Sequence, residues 1–140
     1  MDSIISLLTP KKITFYLLDD STIRQALEKF DAHKFSVVPL IDAEGHYAGT
    51  LSEGDILRFI KNQSNFNLKL AENMQVKDID HYRPYQAVKV DALISEVFAL
   101  SLEQNFIPVV DDKDVYIGII TRKEVIKYLS DHIDFKFHDE

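Results

Sequence analysis

The chain has no cysteine, and its 140 residues include only four glycines. The absence of cysteine excludes a disulfide framework, a zinc site with thiolate ligands and a cysteine nucleophile. Four glycines are too few for a glycine-rich nucleotide loop, and neither the P-loop nor the dinucleotide fingerprint occurs. The Gly-x-Ser-x-Gly pattern of serine hydrolases is also missing. The five histidines lack metal-binding spacing, so no catalytic or metal centre is indicated.

Long apolar runs and clustered positive charge are missing too. No run approaches the roughly 18 residues that cross a bilayer. The start, residues 1–8, lacks the basic residues of a secretory signal and predicts a short amphipathic helix that stops at Pro10. Sixteen basic against 23 acidic residues leave a net charge of −7, which disfavours binding to nucleic acid or anionic lipid. We therefore expect a cytoplasmic protein that binds neither nucleic acid nor membrane.

What the sequence does contain is one motif twice. Residues 36–60 align without a gap on residues 105–129, at an offset of 69 residues. The matched pairs are Pro39 and Pro108, Asp42 and Asp111, Tyr47 and Tyr116, Gly49 and Gly118, Ser52 and Thr121, and Asp55 and Glu124. A repeat of this size is typical of two similar units packed on each other.

Each half shows the same order of structural signals. A short apolar run comes first, at 13–18 and 87–90, and a segment with helical spacing of apolar residues follows. A β-branched run, a polar turn and a second strand come next, before a helix that begins near Glu53 or Arg122. We predict an α+β fold of two β-α-β-β-α units, residues 1–66 and 67–140, which pack together because either alone would bury little apolar surface.

The repeated residues resemble a pair of cystathionine-β-synthase (CBS) domains, the arrangement called a Bateman module. The family signature is a hydrophobic-x-Pro-hydrophobic-hydrophobic-Asp strand, a turn, and Gly-hydrophobic-hydrophobic-Ser/Thr-x-x-Asp before a helix. Both copies carry it, between about Ile13 and Leu129. The chain is also similar to small stand-alone CBS-pair proteins of Gram-positive bacteria, some of which bind adenine nucleotides or cyclic di-AMP. The resemblance implies two units related by a pseudo-two-fold axis, and a homodimer formed by the helical faces.

The resemblance also implies a cleft for an adenosine-type ligand. The family's Asp accepts hydrogen bonds from ribose hydroxyls, while the Ser or Thr hydroxyl and N–H groups at the helix start meet phosphate. By position, Ser52 and Asp55 take these roles in the first half, and Thr121 and Glu124 in the second. The implied ligand contacts are Phe15, Tyr16, Ser36, Val37, Val38, Pro39, Ser52, Asp55, Ala87, Val88, Asn105, Phe106, Ile107, Pro108, Thr121, Arg122, Lys123 and Glu124.

Plain structural roles compete with these assignments. Both Ser/Thr-x-x-Asp/Glu segments fit the capping box, which stabilises helix starts in proteins without any ligand. Arg122 and Lys123 lie in the first turn of a helix, where a cation is unfavourable unless an anion is bound, but they also fit a solvated surface. Glu124 departs from the family's Asp, and its longer side chain must fold back to reach the same hydroxyls.

Two functional hypotheses follow. The first is a non-enzymatic sensor that binds AMP, ADP, ATP, cyclic di-AMP or a related adenosyl ligand and signals in trans to an effector protein. The second is a structural or interaction module whose clefts are empty, so that dimerisation or docking is the function. Beyond the regulatory nucleotide, no cofactor is implied.

Overall fold

The structure is a computed structural model that describes residues 3–33, 36–80 and 85–132. The strands are β1 (Thr9–Pro10), β2 (Leu17–Leu18), β3 (Val37–Ile41), β4 (Tyr47–Ser52), β5 (Val88–Lys89), β6 (Phe106–Val110) and β7 (Tyr116–Thr121). The helices are α1 (Ile23–His33), α2 (Glu53–Lys61), α3 (Leu68–Ala71), α4 (Ile94–Ser101) and α5 (Arg122–His132). Short 3-10 turns cover Ile4–Leu7, Lys11–Ile13 and Val76–Asp78.

Two small sheets repeat one arrangement. In the first, β2 runs parallel to β3 and β3 antiparallel to β4; in the second, β5, β6 and β7 pair in the same way. Both hairpins shift register at equivalent points, between Leu40 and Ile41 and between Val109 and Val110. The predicted β-α-β-β-α unit is thus confirmed in both halves.

The first strand of each unit is shorter than the apolar run that predicted it. Leu17–Leu18 form β2, whereas the prediction covered 13–18, and Val88–Lys89 form β5 within 87–90. Ile13 belongs instead to a 3-10 turn, because both the N–H and the hydroxyl of Thr14 donate to the carbonyl of Lys11, at 3.0 and 2.8 Å. This local bonding removes the segment from the sheet.

Each unit owns a separate apolar core. In α1 the buried residues Ile23, Ala26 and Phe30 recur at helical spacing and pack on β3 and β4 of the first unit. The second core packs Val97 of α4 and Val125 of α5 against β6 and β7. Each fully buried aliphatic side chain stabilises the fold by about 1.5–3 kcal/mol. The helices therefore cover one face of each sheet.

The segments that precede the units cross between them. Ile4 and Leu7 lie in the core of the second unit, and Thr9 of β1 pairs with Ile119 of β7. A side chain at Gly118 would come within 2.2 Å of the Thr9 carbonyl, so only glycine permits this approach. In the opposite direction, the segment before the second unit contributes to the first core, through Ala71, Val76 and Ile79. The division of the chain at residue 66 stays a prediction.

The two hairpins also meet at their turns. His46 and Val115 form an antiparallel bridge, and the Tyr116 N–H donates to the Gly45 carbonyl at 2.9 Å. These bonds join equivalent parts of the two units. The ends of β3 and β6 and the starts of β4 and β7 are therefore held near each other.

Candidate ligand-binding cleft

A cleft of about 340 Å³ lies between the two units. The sequence-predicted residues that line it are Phe15, Ser36, Val37, Val38, Pro39, Asn105, Phe106 and Thr121. Four further lining residues were not among the predicted contacts: Thr9, Ile13, Thr14 and Ile119. Both halves of the repeat therefore contribute to one cavity.

The cleft combines the strand wall of one unit with the helix start of the other. Val37, Val38 and Pro39 come from β3, whereas Thr121 ends β7 and precedes α5. Sequence position assigns Ser52 to the first half, with β3, and Thr121 to the second half, with β6. In the structure, however, Thr121 of the second unit lines the cleft together with β3, whereas Ser52 does not.

The walls and the rim of the cleft differ in chemistry. Val38, Pro39 and Phe106 are buried and apolar, whereas Ser36 and Asn105 at the strand starts are exposed and polar. An apolar slot with a few convergent polar groups is the usual form of a small-molecule site. Such a slot suits a flat heteroaromatic ring that carries polar substituents.

Thr121 caps the helix that points its N-terminus at this region. Its hydroxyl oxygen accepts a hydrogen bond from the Glu124 N–H at 3.2 Å. The positive end of the helix dipole favours an anion there. The Glu124 side chain lies outside the cleft, in a groove beside Lys127 and Tyr128.

Asp55 lies in a different groove and makes a complete capping box with Ser52. The Ser52 N–H donates to Oδ2 of Asp55 at 2.9 Å, and the Asp55 N–H donates to Oγ of Ser52 at 3.1 Å. Arg58 donates to Oδ1 at 2.5 Å, and the Asp55 side chain is only 7% exposed. The capping role that competed with ligand binding is thus present, and both carboxylate oxygens are engaged.

The other predicted contacts are not among the residues that line the cleft. Arg122 donates from Nε to the Ser101 carbonyl at 2.8 Å, a favourable place for a cation because it is the C-terminus of α4. This bond explains Arg122 without a bound anion. Of the remaining residues, Lys123 is exposed, Tyr16 and Ala87 are half-buried, and Val88, Ile107 and Pro108 are buried in the second unit.

A buried tyrosine holds one wall of the cleft. Tyr116 is 1% exposed, and its hydroxyl donates to Oγ1 of Thr14 at 3.0 Å. Burial raises the pKa of Tyr116 to about 12, and burial also raises the pKa of its counterpart Tyr47. The repeat identifies the two tyrosines as equivalent positions. The hydrogen bond between Tyr116 and Thr14 spans the two units and leaves no signal in the sequence.

The described part of the chain also bears on membrane and metal binding. Within residues 3–33, 36–80 and 85–132, no helix has the length and apolar character needed to span a membrane. Over the same ranges, no group of three or more His, Asp or Glu side chains is arranged to hold a metal ion.

Comparison with known proteins places the repeat in a family. The CBS domain model matches residues 8–62 and 76–131. Among curated proteins, MJ1225 of Methanocaldococcus jannaschii is 29% identical over 136 residues, which cover 89% of this chain and 48% of that protein. The chain thus spans about half the length of this relative.

Solved structures share the whole architecture. The CBS domain protein of Streptococcus pneumoniae TIGR4 is 25% identical with a TM-score of 0.80, covering 91% of this chain and 86% of that one. CbpB in complex with c-di-AMP is 21% identical with a TM-score of 0.83, covering 99% and 88%. CBSX2 in complex with AMP is 22% identical with a TM-score of 0.73, covering 94% and 98%. With the family model matched in both halves, this chain belongs to the CBS-domain family, and its two units form a Bateman module.

Proposed function

We propose that this protein is a non-catalytic sensor that binds an adenine nucleotide in the cleft between its two CBS units. The observation that carries the proposal is the convergence of strand residues from both units on one apolar slot that ends at a helix N-terminus. The complexes of CbpB with c-di-AMP and of CBSX2 with AMP support the ligand class.

In the proposed complex the base lies against Val38, Pro39 and Phe106. The phosphate lies near the Thr121 hydroxyl, where the dipole of α5 stabilises negative charge. A hydrogen bond from a hydroxyl to a charged phosphate contributes about 1.5–3 kcal/mol. Ser36 and Asn105 at the rim offer polar groups to the sugar.

Binding at this place would connect the units. The ligand touches β3 of one unit and the start of α5 of the other. It therefore favours conformations in which the two units keep one fixed arrangement relative to each other. A ligand shifts such an equilibrium only by its differential affinity for the two states. We propose that an effector protein in the cytoplasm distinguishes these states.

The proposed assembly is a homodimer through helical faces. Leu57 of α2 and Ile126 of α5 occupy equivalent positions in the repeat and are 65% and 59% exposed. We expect the double substitution Leu57→Lys/Ile126→Lys to give a monomer in analytical ultracentrifugation. Leu68→Lys, which makes the same kind of substitution at an exposed position on α3, is the control and should stay dimeric.

A second candidate function is an interaction module without a ligand. It is favoured by Asp55, whose two carboxylate oxygens are already bonded within its own helix start. Under this hypothesis the dimer or a docked partner is the functional species, and nucleotides leave the protein unchanged.

Thermal unfolding with AMP, ADP, ATP, cyclic di-AMP and S-adenosylmethionine separates the two candidates. A ligand at one hundred times its Kd adds about 2.7 kcal/mol to the free energy of unfolding, which raises Tm by several degrees. A selective rise supports the sensor. Because the chain has no Trp, nucleotide that co-purifies adds visibly to the absorbance near 260 nm. No rise, with no nucleotide already bound, supports the interaction module.

A further inference from the structure

The symmetry of the module defines a counterpart to the open cleft. Leu17 pairs with Leu40 in the first sheet, and Val88 pairs with Val109 in the second. Leu40 and Val109 are equivalent in the repeat, so the segment before β2 corresponds to the segment before β5. Counting back from these strands, Tyr85 is the counterpart of Thr14.

A pair of hydrogen bonds supports this correspondence. Tyr116 donates to the Thr14 side chain at 3.0 Å, and Tyr47, its equivalent in the first unit, donates to the Tyr85 carbonyl at 3.1 Å. Each tyrosine reaches across to the same position of the opposite unit. The two sides of the module can therefore be compared residue by residue.

The two sides differ in the size of the facing side chains. Thr14 and Val37 both line the open cleft. Their counterparts, Tyr85 and Phe106, are in ring contact, with centroids 4.9 Å apart in an edge-to-face arrangement. The Tyr85 hydroxyl also accepts a hydrogen bond from the Asn105 N–H at 3.2 Å. Tyr85, packed edge-to-face on Phe106, thus occupies the place that corresponds to Thr14 beside the open cleft, and Phe106 also forms a wall of that cleft.

Backbone groups beside Tyr85 are engaged as well. Gln104 is 6% exposed, accepts from the Gln86 N–H at 2.8 Å and donates to the Gln86 carbonyl at 3.1 Å. A base that entered here would have to displace these bonds before it could use the same groups. The equivalent sequence position in the first unit is Phe35, whose side chain has no hydrogen-bonding group.

We propose that the module has one nucleotide site per chain, because Tyr85 closes the counterpart of the open cleft. The inference rests on the proposed function and refines it: nucleotide binds the cleft lined by Thr14 and Thr121, and the Tyr85 side is a structural support held by Gln104.

A reciprocal exchange tests this assignment. AMP and ATP are titrated by calorimetry into the full chain and into the variants Tyr85→Thr and Thr14→Tyr. The wild type is expected to bind one nucleotide per chain, Tyr85→Thr two, and Thr14→Tyr none. The Tyr47 hydroxyl donates to the backbone carbonyl of position 85, which the exchange keeps, so this bond survives. If Thr14→Tyr does not fold, Val37→Phe, the other half of the exchange, replaces it.

The outcomes separate this inference from the proposed function. Two nucleotides per wild-type chain, one per chain in Tyr85→Thr, or undiminished binding in Thr14→Tyr would each overturn the role of Tyr85. If neither nucleotide binds any of the proteins, the proposed function fails instead. In that case NMR without ligand decides whether Tyr85 closes the counterpart of the cleft. Nuclear Overhauser cross-peaks between the Tyr85 and Phe106 rings uphold the closure, and their absence overturns it.

Discussion

The hydroxyl of Tyr116 donates a hydrogen bond to Oγ1 of Thr14 across the boundary between the two units, with the two oxygens 3.0 Å apart. The Thr14 hydroxyl in turn donates to the Lys11 carbonyl at 2.8 Å. This relay connects the second hairpin to a segment that lines the cleft. The proposed ligand site is therefore held in shape by a bond between units.

Removal of this bond should weaken both ligand binding and the fold. Tyr116→Phe deletes the hydroxyl and keeps the ring, with an expected loss of about 0.5–1.5 kcal/mol in the free energy of unfolding. We expect nucleotide affinity to fall by up to about tenfold, the equivalent of 1.4 kcal/mol. Affinity is measured by calorimetry and stability by urea denaturation.

Tyr47→Phe is the matched control for this change. It deletes the same group from the equivalent residue, but that hydroxyl bonds to the carbonyl of Tyr85, a residue that does not line the cleft. Stability should fall to a similar extent while affinity stays close to that of the wild type. Equal affinities in the two variants would contradict the link between Tyr116 and the cleft.

Alkaline pH should destabilise the protein through the same tyrosine. Burial raises the pKa of Tyr116 to about 12, above the value near 10 of an unfolded tyrosine. A raised pKa contributes stability that is fully present below about pH 10 and is lost as the pH rises through about 12. The slope for one such group approaches about 1.4 kcal/mol per pH unit between these limits. Urea denaturation at pH 8 to 12 measures it, and Tyr116→Phe should show a shallower decline.

Thr121 and Ser52 separate helix capping from ligand binding. Each hydroxyl accepts from the N–H three residues on, at 3.2 and 3.1 Å, so alanine at either position should cost about 1 kcal/mol of stability. Only Thr121 lines the cleft. Thr121→Ala should therefore weaken nucleotide binding by about 1.5–3 kcal/mol, whereas Ser52→Ala should leave the affinity unchanged. A similar affinity in both variants, with both folded, would remove Thr121 from the site.

Asp55 and Glu124 occupy equivalent positions but should differ in their effect on stability. Asp55→Ala removes the partner of the Ser52 N–H and of Arg58, with an expected loss of about 1–3 kcal/mol. The pair with Arg58 adds little to this figure, since the Arg58 side chain is half exposed. Glu124→Ala should change the free energy of unfolding by less than about 0.5 kcal/mol. Chemical denaturation of both variants checks the difference, and comparable losses would contradict it.

Much of each unit was predictable because its signals are local. A few residues are enough to predict each element. The run from Val37 to Asp42 indicates a strand, the turn at Gly45 a hairpin, and the cap at Ser52 a helix start. Gly45 adopts a φ of +90°, as a tight turn requires. The repeat of these signals at one offset then predicted two similar units.

The predicted site was less complete because contacts across the units have no local pattern. Thr9 and Ile119 line the cleft because β1 pairs with β7, residues more than a hundred positions apart in the chain. Arg122 matched the expectation of a phosphate ligand by sequence, yet it bonds to the end of α4. Whether a side chain binds a ligand or a neighbouring helix depends on distances that no motif contains.

The amino-acid sequence by itself determined the two units, their β-α-β-β-α order, the CBS family and the strand residues that form the apolar wall. Local propensity and hydrophobic spacing are sufficient for the units and their order, whereas the family and the wall residues follow from the resemblance of the repeated motif to a CBS pair. The tertiary structure alone decided that the segments before the units cross between cores and that Thr121 joins the strand wall of the opposite unit. It also placed Tyr85, packed on Phe106, where the other side has Thr14 beside the open cleft. These outcomes depend on how two similar surfaces pack against each other, which is a property of the assembled fold and not of any one segment.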